Sequence, residues 1–147
     1  MYKTEFPDFK LNVTIPAGFI DNSWHNNQMP CWIRKLSDDR MMVLWIDYAD
    51  PGLRDHPLNA RFVLHMTDSS MTDVFEHSAF DNYEDVLYCL GEHFPYIHLS
   101  DDQLREANTE LWKRVPDDDH ARNFRDWDSV ASIDDEILAR SATSETF

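Results

Sequence analysis

The sequence predicts an α+β domain in which an antiparallel sheet of about five strands, from the N-terminal half, packs with two to three helices from the C-terminal half. Apolar runs of strand length, separated by turn residues, occupy the chain up to residue 80. From residue 81 onward the apolar residues recur at helical spacing. Strands followed by helices are typical of the α+β class. We expect the 147 residues to form a single acidic domain, because a chain of this length buries a sizeable core.

Five segments have the composition of strands: residues 9–15, 31–36, 41–48, 61–66 and 74–80. In the first of them Leu11, Val13 and Ile15 alternate with polar residues, which is the period of a half-buried strand. Residues 37–40 are a short polar link suited to a hairpin. The run 41–46 is apolar throughout, so we expect a central strand covered on both faces. A buried helix has the same pattern, and only the length of the run favours a strand.

Two longer segments of the second half carry helix signals. Asp81 can cap a helix whose third position is Glu84, and Pro95 ends that segment. Ser100 and Gln103 have the spacing of a capping box before a second helix. The apolar residues that follow recur on one side of that helix, so we expect them to be buried.

The last part of the chain, residues 116–147, has the weakest pattern. It begins with a proline and three aspartates, which are typical of a loop. A short helix is predicted over 133–140, with Ser132 as its cap and with apolar residues at Ile133, Ile137 and Leu138. We expect the rest of the segment to be peripheral or mobile.

The charge of the chain limits its partners. There are 28 acidic and 13 basic residues, a formal charge of −15. Phosphate backbones and anionic lipids repel such a protein unless basic residues cluster, and the basic residues here have acids beside them. We therefore expect no direct binding to nucleic acid or membrane. No run approaches the roughly 20 apolar residues of a membrane span, and the first ten residues lack an export signal, so the cytoplasm is the expected compartment.

No catalytic signature is present. The three glycines, Gly18, Gly52 and Gly91, are too few and too far apart for a Walker loop, a dinucleotide fingerprint or a nucleophile elbow. Cys31 and Cys89 form no C-x-x-C pair, which excludes a zinc ribbon or redox motif. Either thiol can act as a nucleophile beside a histidine, but an inert buried thiol is the favoured interpretation of Cys89. We assign no catalytic residue and no cofactor.

Two sets of residues were weighed as metal ligands. Asp117, Asp118 and Asp119 with His120 are the best local candidates for a hard metal, but consecutive loop aspartates are more often a solvated loop. His65 and His77 fall within predicted strands and can face each other across the pair. Surface histidines and satisfied interior histidines are nevertheless commoner than ligands. We assign no metal ligand.

Two loops concentrate aromatic, amide and acidic side chains at the ends of strands, residues 23–32 and 45–57. Such loops carry binding residues more often than the strands they connect. The competing interpretation is that their tryptophans anchor the sheet while their amide and acidic groups satisfy turn backbone. The residues of this second candidate surface are Trp24, His25, Asn26, Tyr48 and Asp50.

These loops also carry a resemblance. Trp24, His25 and Asn26 begin a stretch that ends in Pro-Cys, and Trp45 begins a Trp-x-Asp-Tyr-x-Asp-Pro segment. In these features residues 23–66 resemble small uncharacterised proteins of phages and other mobile elements. The resemblance implies an accessory protein that inhibits host defence, for example CRISPR complexes. It does not indicate any enzymatic activity.

Carboxylates arrayed on a surface can mimic a phosphate backbone and occupy a basic groove of a nucleic-acid-binding protein. From residue 100 onward there are 13 acidic and 6 basic residues, so the acids are densest there. Solvation of the helices is the competing interpretation of these acids. The predicted partner-binding residues are Asp101, Asp102, Glu106, Glu110, Asp117, Asp118, Asp119, Asp126 and Asp128.

The leading hypothesis from the sequence is a non-enzymatic inhibitor or adaptor that binds a basic protein surface. A metal-assisted hydrolase that uses Asp and His side chains is the alternative from a different class. A structural or assembly protein is a third possibility, and the oligomeric state stays open.

Overall fold

A computed structural model describes residues 1–54, 59–114 and 133–141. The α+β class is confirmed, with five antiparallel strands in the N-terminal half and three helices of seven or more residues in the C-terminal half. The elements are α1 (Tyr2–Glu5), β1 (Ile20–Asp21), β2 (Cys31–Ser37), β3 (Arg40–Ile46), a 3-10 turn (Pro51–Leu53), β4 (Phe62–Asp68), β5 (Val74–Phe80), α2 (Tyr83–His93), α3 (Asp101–Arg114) and α4 (133–141).

The sheet is a meander in the order β1-β2-β3-β4-β5, so β3 is its central strand. The predicted hairpin between β2 and β3 is confirmed, and Asp38 and Asp39 lie between the two strands. In β3, Val43, Leu44 and Ile46 are completely buried, as expected for a strand covered on both faces. Trp45 departs from that expectation because it is only half-buried and its indole N–H is bonded to a histidine of β4.

Residues 9–15 do not form the predicted strand, and the first strand is the two-residue β1. The alternation of exposure is present, since Leu11, Val13 and Ile15 are half-buried and their neighbours Asn12 and Thr14 are exposed. Side chains from elsewhere in the protein, rather than the backbone of a neighbouring strand, bind polar groups of this segment. The Arg61 guanidinium donates to the Asn12 side chain, and the Tyr83 hydroxyl donates to the Thr14 carbonyl. Exposed and half-buried side chains therefore alternate in this segment although it does not pair with another strand.

The helices begin near their predicted caps. α2 begins at Tyr83, so Asn82, rather than the predicted Asp81, precedes it. The capping box of α3 is confirmed, because Ser100 Oγ accepts from Gln103 N at 3.1 Å and Gln103 Oε1 accepts from Ser100 N at 2.9 Å. These bonds satisfy backbone donors at the start of α3 that the helix itself leaves unpaired.

The predicted helix 133–140 is confirmed as α4. Ile133 is buried, whereas Leu138 is 69% exposed. Glu136 is instead 3% exposed, and its Oε2 lies 3.6 Å from Arg140 Nε. The buried acid of α4 thus lies beside a guanidinium of the same helix. The predicted cap Ser132 lies outside the described residues.

The chain divides into two compact units, residues 1–89 and 90–147. The sheet lies in the first unit, α3 and α4 lie in the second, and α2 contains the boundary. None of the helices in the described ranges combines the length and the apolar composition needed to cross a bilayer.

Candidate functional site

The predicted acids of α3 are all exposed. Asp102, Glu106 and Glu110 follow one another at four-residue intervals, so they lie on one side of the helix, about 6 Å apart along its axis. We call these three residues the acidic stripe. The remaining predicted acids, Asp117, Asp118, Asp119, Asp126 and Asp128, lie outside the described residues.

Basic residues of the same helix accompany the acidic stripe. Arg105 Nη1 lies 3.7 Å from Asp102 Oδ1, and Lys113 Nζ lies 3.1 Å from Glu110 Oε1. Both pairs are solvent-exposed, and such pairs typically contribute only about 0–1 kcal/mol. A guanidinium or ammonium group of a partner can therefore replace these contacts at low cost.

Asp101 has a different role from the acidic stripe. Its Oδ1 accepts a 2.9 Å hydrogen bond from Nη1 of Arg140, whose side chain is only 12% exposed. The Arg140 Nη2 group donates to the carbonyls of Tyr96 and Ile97 at 3.1 and 3.2 Å. Arg140 therefore joins α4 to Asp101 of α3 and to the chain before α3, so Asp101 already has a partner within the protein.

In the first loop of the second candidate surface, Trp24 and His25 lie together. Trp24 is 50% exposed and its ring centroid is 4.3 Å from that of His25. His25 Nδ1 lies 2.7 Å from a carboxylate oxygen of Glu5, and Asn26 is exposed. Trp24 therefore does not anchor the sheet, whereas Trp32, at 3% exposure, is buried in it.

In the second loop, Asp50 has the structural role that the competing interpretation expected. Its Oδ1 accepts from Gly52 N at 2.9 Å and caps the 3-10 turn. Tyr48 packs edge-on against Phe9, with ring centroids 5.5 Å apart. Arg54, which the sequence did not single out, donates to the carbonyls of Tyr48, Ala49 and Asn59 at 2.7, 2.9 and 3.0 Å. These bonds link Arg54 to the backbone on both sides of it in the sequence.

Cys31 is completely buried at the start of β2. Burial, followed by the nearby Asp21 carboxylate, raises the pKa of the thiol to about 12. Its Sγ donates to the Asn22 carbonyl at 3.4 Å. Because the thiolate is the nucleophile, these contacts oppose a catalytic role for Cys31.

We expect alkylation of Cys31 by iodoacetamide at pH 8 to be at least about a hundredfold slower in the native protein than in urea, since the raised pKa depletes the thiolate. The rate should also keep rising with pH up to pH 10 instead of reaching a plateau. Mass spectrometry of a Cys89→Ser variant isolates the reaction, and a Cys31→Ser variant reports the other thiol. A native rate within tenfold of the unfolded rate contradicts the expectation.

The predicted juxtaposition of His65 and His77 is confirmed. They are register partners on β4 and β5, and His65 Nε2 lies 2.9 Å from His77 Nδ1. The Trp45 indole Nε1–H donates to His65 Nδ1 at 3.3 Å. An indole nitrogen only donates, so His65 Nδ1 is an acceptor and its Nε2 carries the proton that is donated to His77.

This arrangement uses the facing nitrogens of the two histidines in a hydrogen-bond chain across β3, β4 and β5. To coordinate a metal through Nε2, His65 would have to move its proton to Nδ1, against the indole N–H. Within the described ranges no group of three or more His, Cys, Asp or Glu side chains is placed to hold a metal ion. The hydrogen bonds to Trp45 and between the two rings are those of satisfied histidines.

A second acidic region lies at one end of the sheet and was not found from the sequence. The β2–β3 turn carries Asp38 and Asp39, and the β4–β5 turn lies between Asp68 and Asp73. Arg40 is the register partner of Asp68, which places both turns at the same end. Alternate turns of a meander lie at the same end of the sheet, so the observed strand order brings these acids together.

No protein-family model, curated protein or solved structure matches this chain. The resemblance of residues 23–66 to phage proteins stays a prediction, and the function is argued from the residues themselves.

Proposed function

We propose that this protein is a non-enzymatic binding protein that presents carboxylates to the basic, nucleic-acid-binding surface of a partner protein. The observation that carries the proposal is the acidic stripe, Asp102, Glu106 and Glu110, exposed on successive turns of α3. The capping box of Ser100 and Gln103 fixes the start of α3, so the helix holds these carboxylates in a defined arrangement.

The charge of the whole chain adds to this local feature. At −15, the protein attracts a basic groove over distances of about a Debye length, roughly 8 Å at physiological salt. Charge complementarity of this kind mainly accelerates association and excludes wrong partners.

The alternative, a metal-assisted hydrolase, has less support. It needs several Asp or His side chains converging on a cation. No such group is found in the part of the chain that the structure describes, and the facing histidine nitrogens are engaged with Trp45 and each other. The narrower proposal, that the partner is a host-defence complex such as a CRISPR effector, rests on the resemblance of residues 23–66.

The test compares two charge-matched variants. In the stripe variant, Asp102→Asn, Glu106→Gln and Glu110→Gln remove three charges from α3. In the control variant, Asp85→Asn, Glu84→Gln and Glu92→Gln remove three exposed charges from α2. Each immobilised protein is exposed to host extract, and bound proteins are eluted with excess duplex DNA.

We expect the parent and the control variant to retain a basic protein that DNA elutes. The stripe variant should bind the purified partner at least about tenfold more weakly, with a flatter salt dependence, because three steering charges are gone. The proposal fails if the captured protein resists elution by DNA, or if both variants bind it equally at low salt. It also fails if the isolated protein itself shifts duplex DNA in a gel.

A further inference from the structure

β5 is an outer strand of the sheet, and one of its backbone edges is exposed. Among the described strands it pairs only with β4, so its other side is an edge. Such an edge presents backbone N–H and C=O groups to an incoming strand. Natural edges are commonly protected by lysine, proline or a β-bulge. β5 contains no lysine or proline, and its one irregularity is the register shift at Phe75.

The first half of β5 is also exposed through its side chains. Residues 74–77 are all exposed, and the apolar Val74 and Phe75 are 51% and 49% exposed. The register with β4 shifts between Met66 and Thr67, beside these residues. The Arg40 guanidinium lies over the Phe75 ring, 3.5 Å from its centroid, and orders that ring without burying it.

Acids surround this exposed stretch. Glu76 lies within it and Asp73 immediately precedes it. Asp38 and Asp39 of the β2–β3 turn lie at the same end of the sheet. The basic residues on β2 and β3 are Arg34, which is buried and donates to the Ala17 carbonyl, Lys35, which is 3.2 Å from Asp38, and Arg40. The net charge at this end is therefore negative, which favours a basic occupant and disfavours a second copy of a chain of charge −15.

We propose that the edge of β5 at residues 74–76 binds an extended basic segment of the partner protein, which adds to the sheet as a further strand. The inference rests on the proposed function, because that function supplies the basic character of the occupant. Main-chain hydrogen bonds provide affinity in this mode of recognition, and alternate side chains provide specificity. Apolar residues of the segment cover Val74 and Phe75, and its lysines or arginines face the carboxylates.

The test uses two labelled peptides of equal charge, one of alternating valine and lysine and one of alternating proline and lysine. Proline lacks the backbone N–H that strand pairing needs, so only the first peptide can add to an edge. The protein variant is Val74→Lys, which places a lysine on the edge. Leu53→Lys is the matched control, because Leu53 is 57% exposed and lies outside the sheet.

We expect the parent to bind the valine peptide at least about tenfold more tightly than the proline peptide in fluorescence polarisation. Val74→Lys should remove most of that preference, and Leu53→Lys should change it by less than about twofold. Amide hydrogen exchange in β5 should slow when the valine peptide binds. This second measurement does not depend on how the substitution affects folding.

The outcomes separate this inference from the proposed function. Equal affinity for both peptides, or no binding of either, overturns the edge site and leaves the acidic-stripe test standing. The edge site is also overturned if the Val74→Lys variant binds the valine peptide as tightly as the parent does. A parent dimer in sedimentation that Val74→Lys abolishes would mean that a second copy occupies the edge, which also overturns the proposal.

Discussion

Leu44→Ala is expected to lower the free energy of unfolding by about 2–5 kcal/mol. Leu44 is completely buried in β3, the central strand, and its register partners are Trp32 on β2 and Leu64 on β4, each 3% exposed. Strands on both sides hold the surrounding backbone by hydrogen bonds, so the site has little freedom to collapse around the space left by the side chain. Urea denaturation followed by circular dichroism measures the effect.

Leu53→Ala is the control for this substitution, because it deletes the same atoms from a side chain that is 57% exposed. We expect it to change the stability by less than about 0.5 kcal/mol. A loss below about 1 kcal/mol for Leu44→Ala would mean that the centre of the sheet tolerates a cavity, contrary to its complete burial.

The central strand was predictable because burial on both faces leaves a simple mark, an unbroken apolar run bounded by polar turns. The capping box of α3 was predictable for a similar reason, since Ser100 and Gln103 interact with backbone three residues away. Both signals are local. A window of a few residues is enough to detect the apolar run of β3 or the capping box of α3.

The errors came from interactions between distant parts of the chain. Residues 9–15 have the alternation of a strand, but Arg61 and Tyr83, about 50 and 70 residues away, bind polar groups of the segment. Alternation reports which side chains face the interior, and it does not report whether a second strand is available to pair. The same limit applies to Trp45, whose partner His65 is on another strand.

The candidate site was predictable in part. Exposure of the acids on α3 followed from the apolar residues on its opposite side, and it is confirmed for the four that the structure describes. The hydrogen bond between Asp101 and Arg140, which lies 39 residues later in the chain, could not be predicted in this way. Charge counting cannot separate a carboxylate held by a buried guanidinium from one exposed to a partner.

Arg140→Met is expected to destabilise the protein by about 3–5 kcal/mol. The side chain of Arg140 is 12% exposed, and its guanidinium contacts the carboxylates of Asp101 and Glu136 as well as two backbone carbonyls. Methionine fills similar volume but donates no hydrogen bond. The carboxylate of Glu136, which is 3% exposed, would then lose the guanidinium that lies 3.6 Å from it.

Arg105→Met is the matched control, since Arg105 forms an exposed pair with Asp102 at 3.7 Å, and we expect it to cost no more than about 1 kcal/mol. The double variant Arg140→Met with Glu136→Met should recover part of the loss, because the buried carboxylate is gone. Recovery should be incomplete, since the carbonyls of Tyr96 and Ile97 still lose their donor. Equal costs for Arg140→Met and Arg105→Met would show that the contacts of Arg140 do not stabilise the unit that carries the acidic stripe.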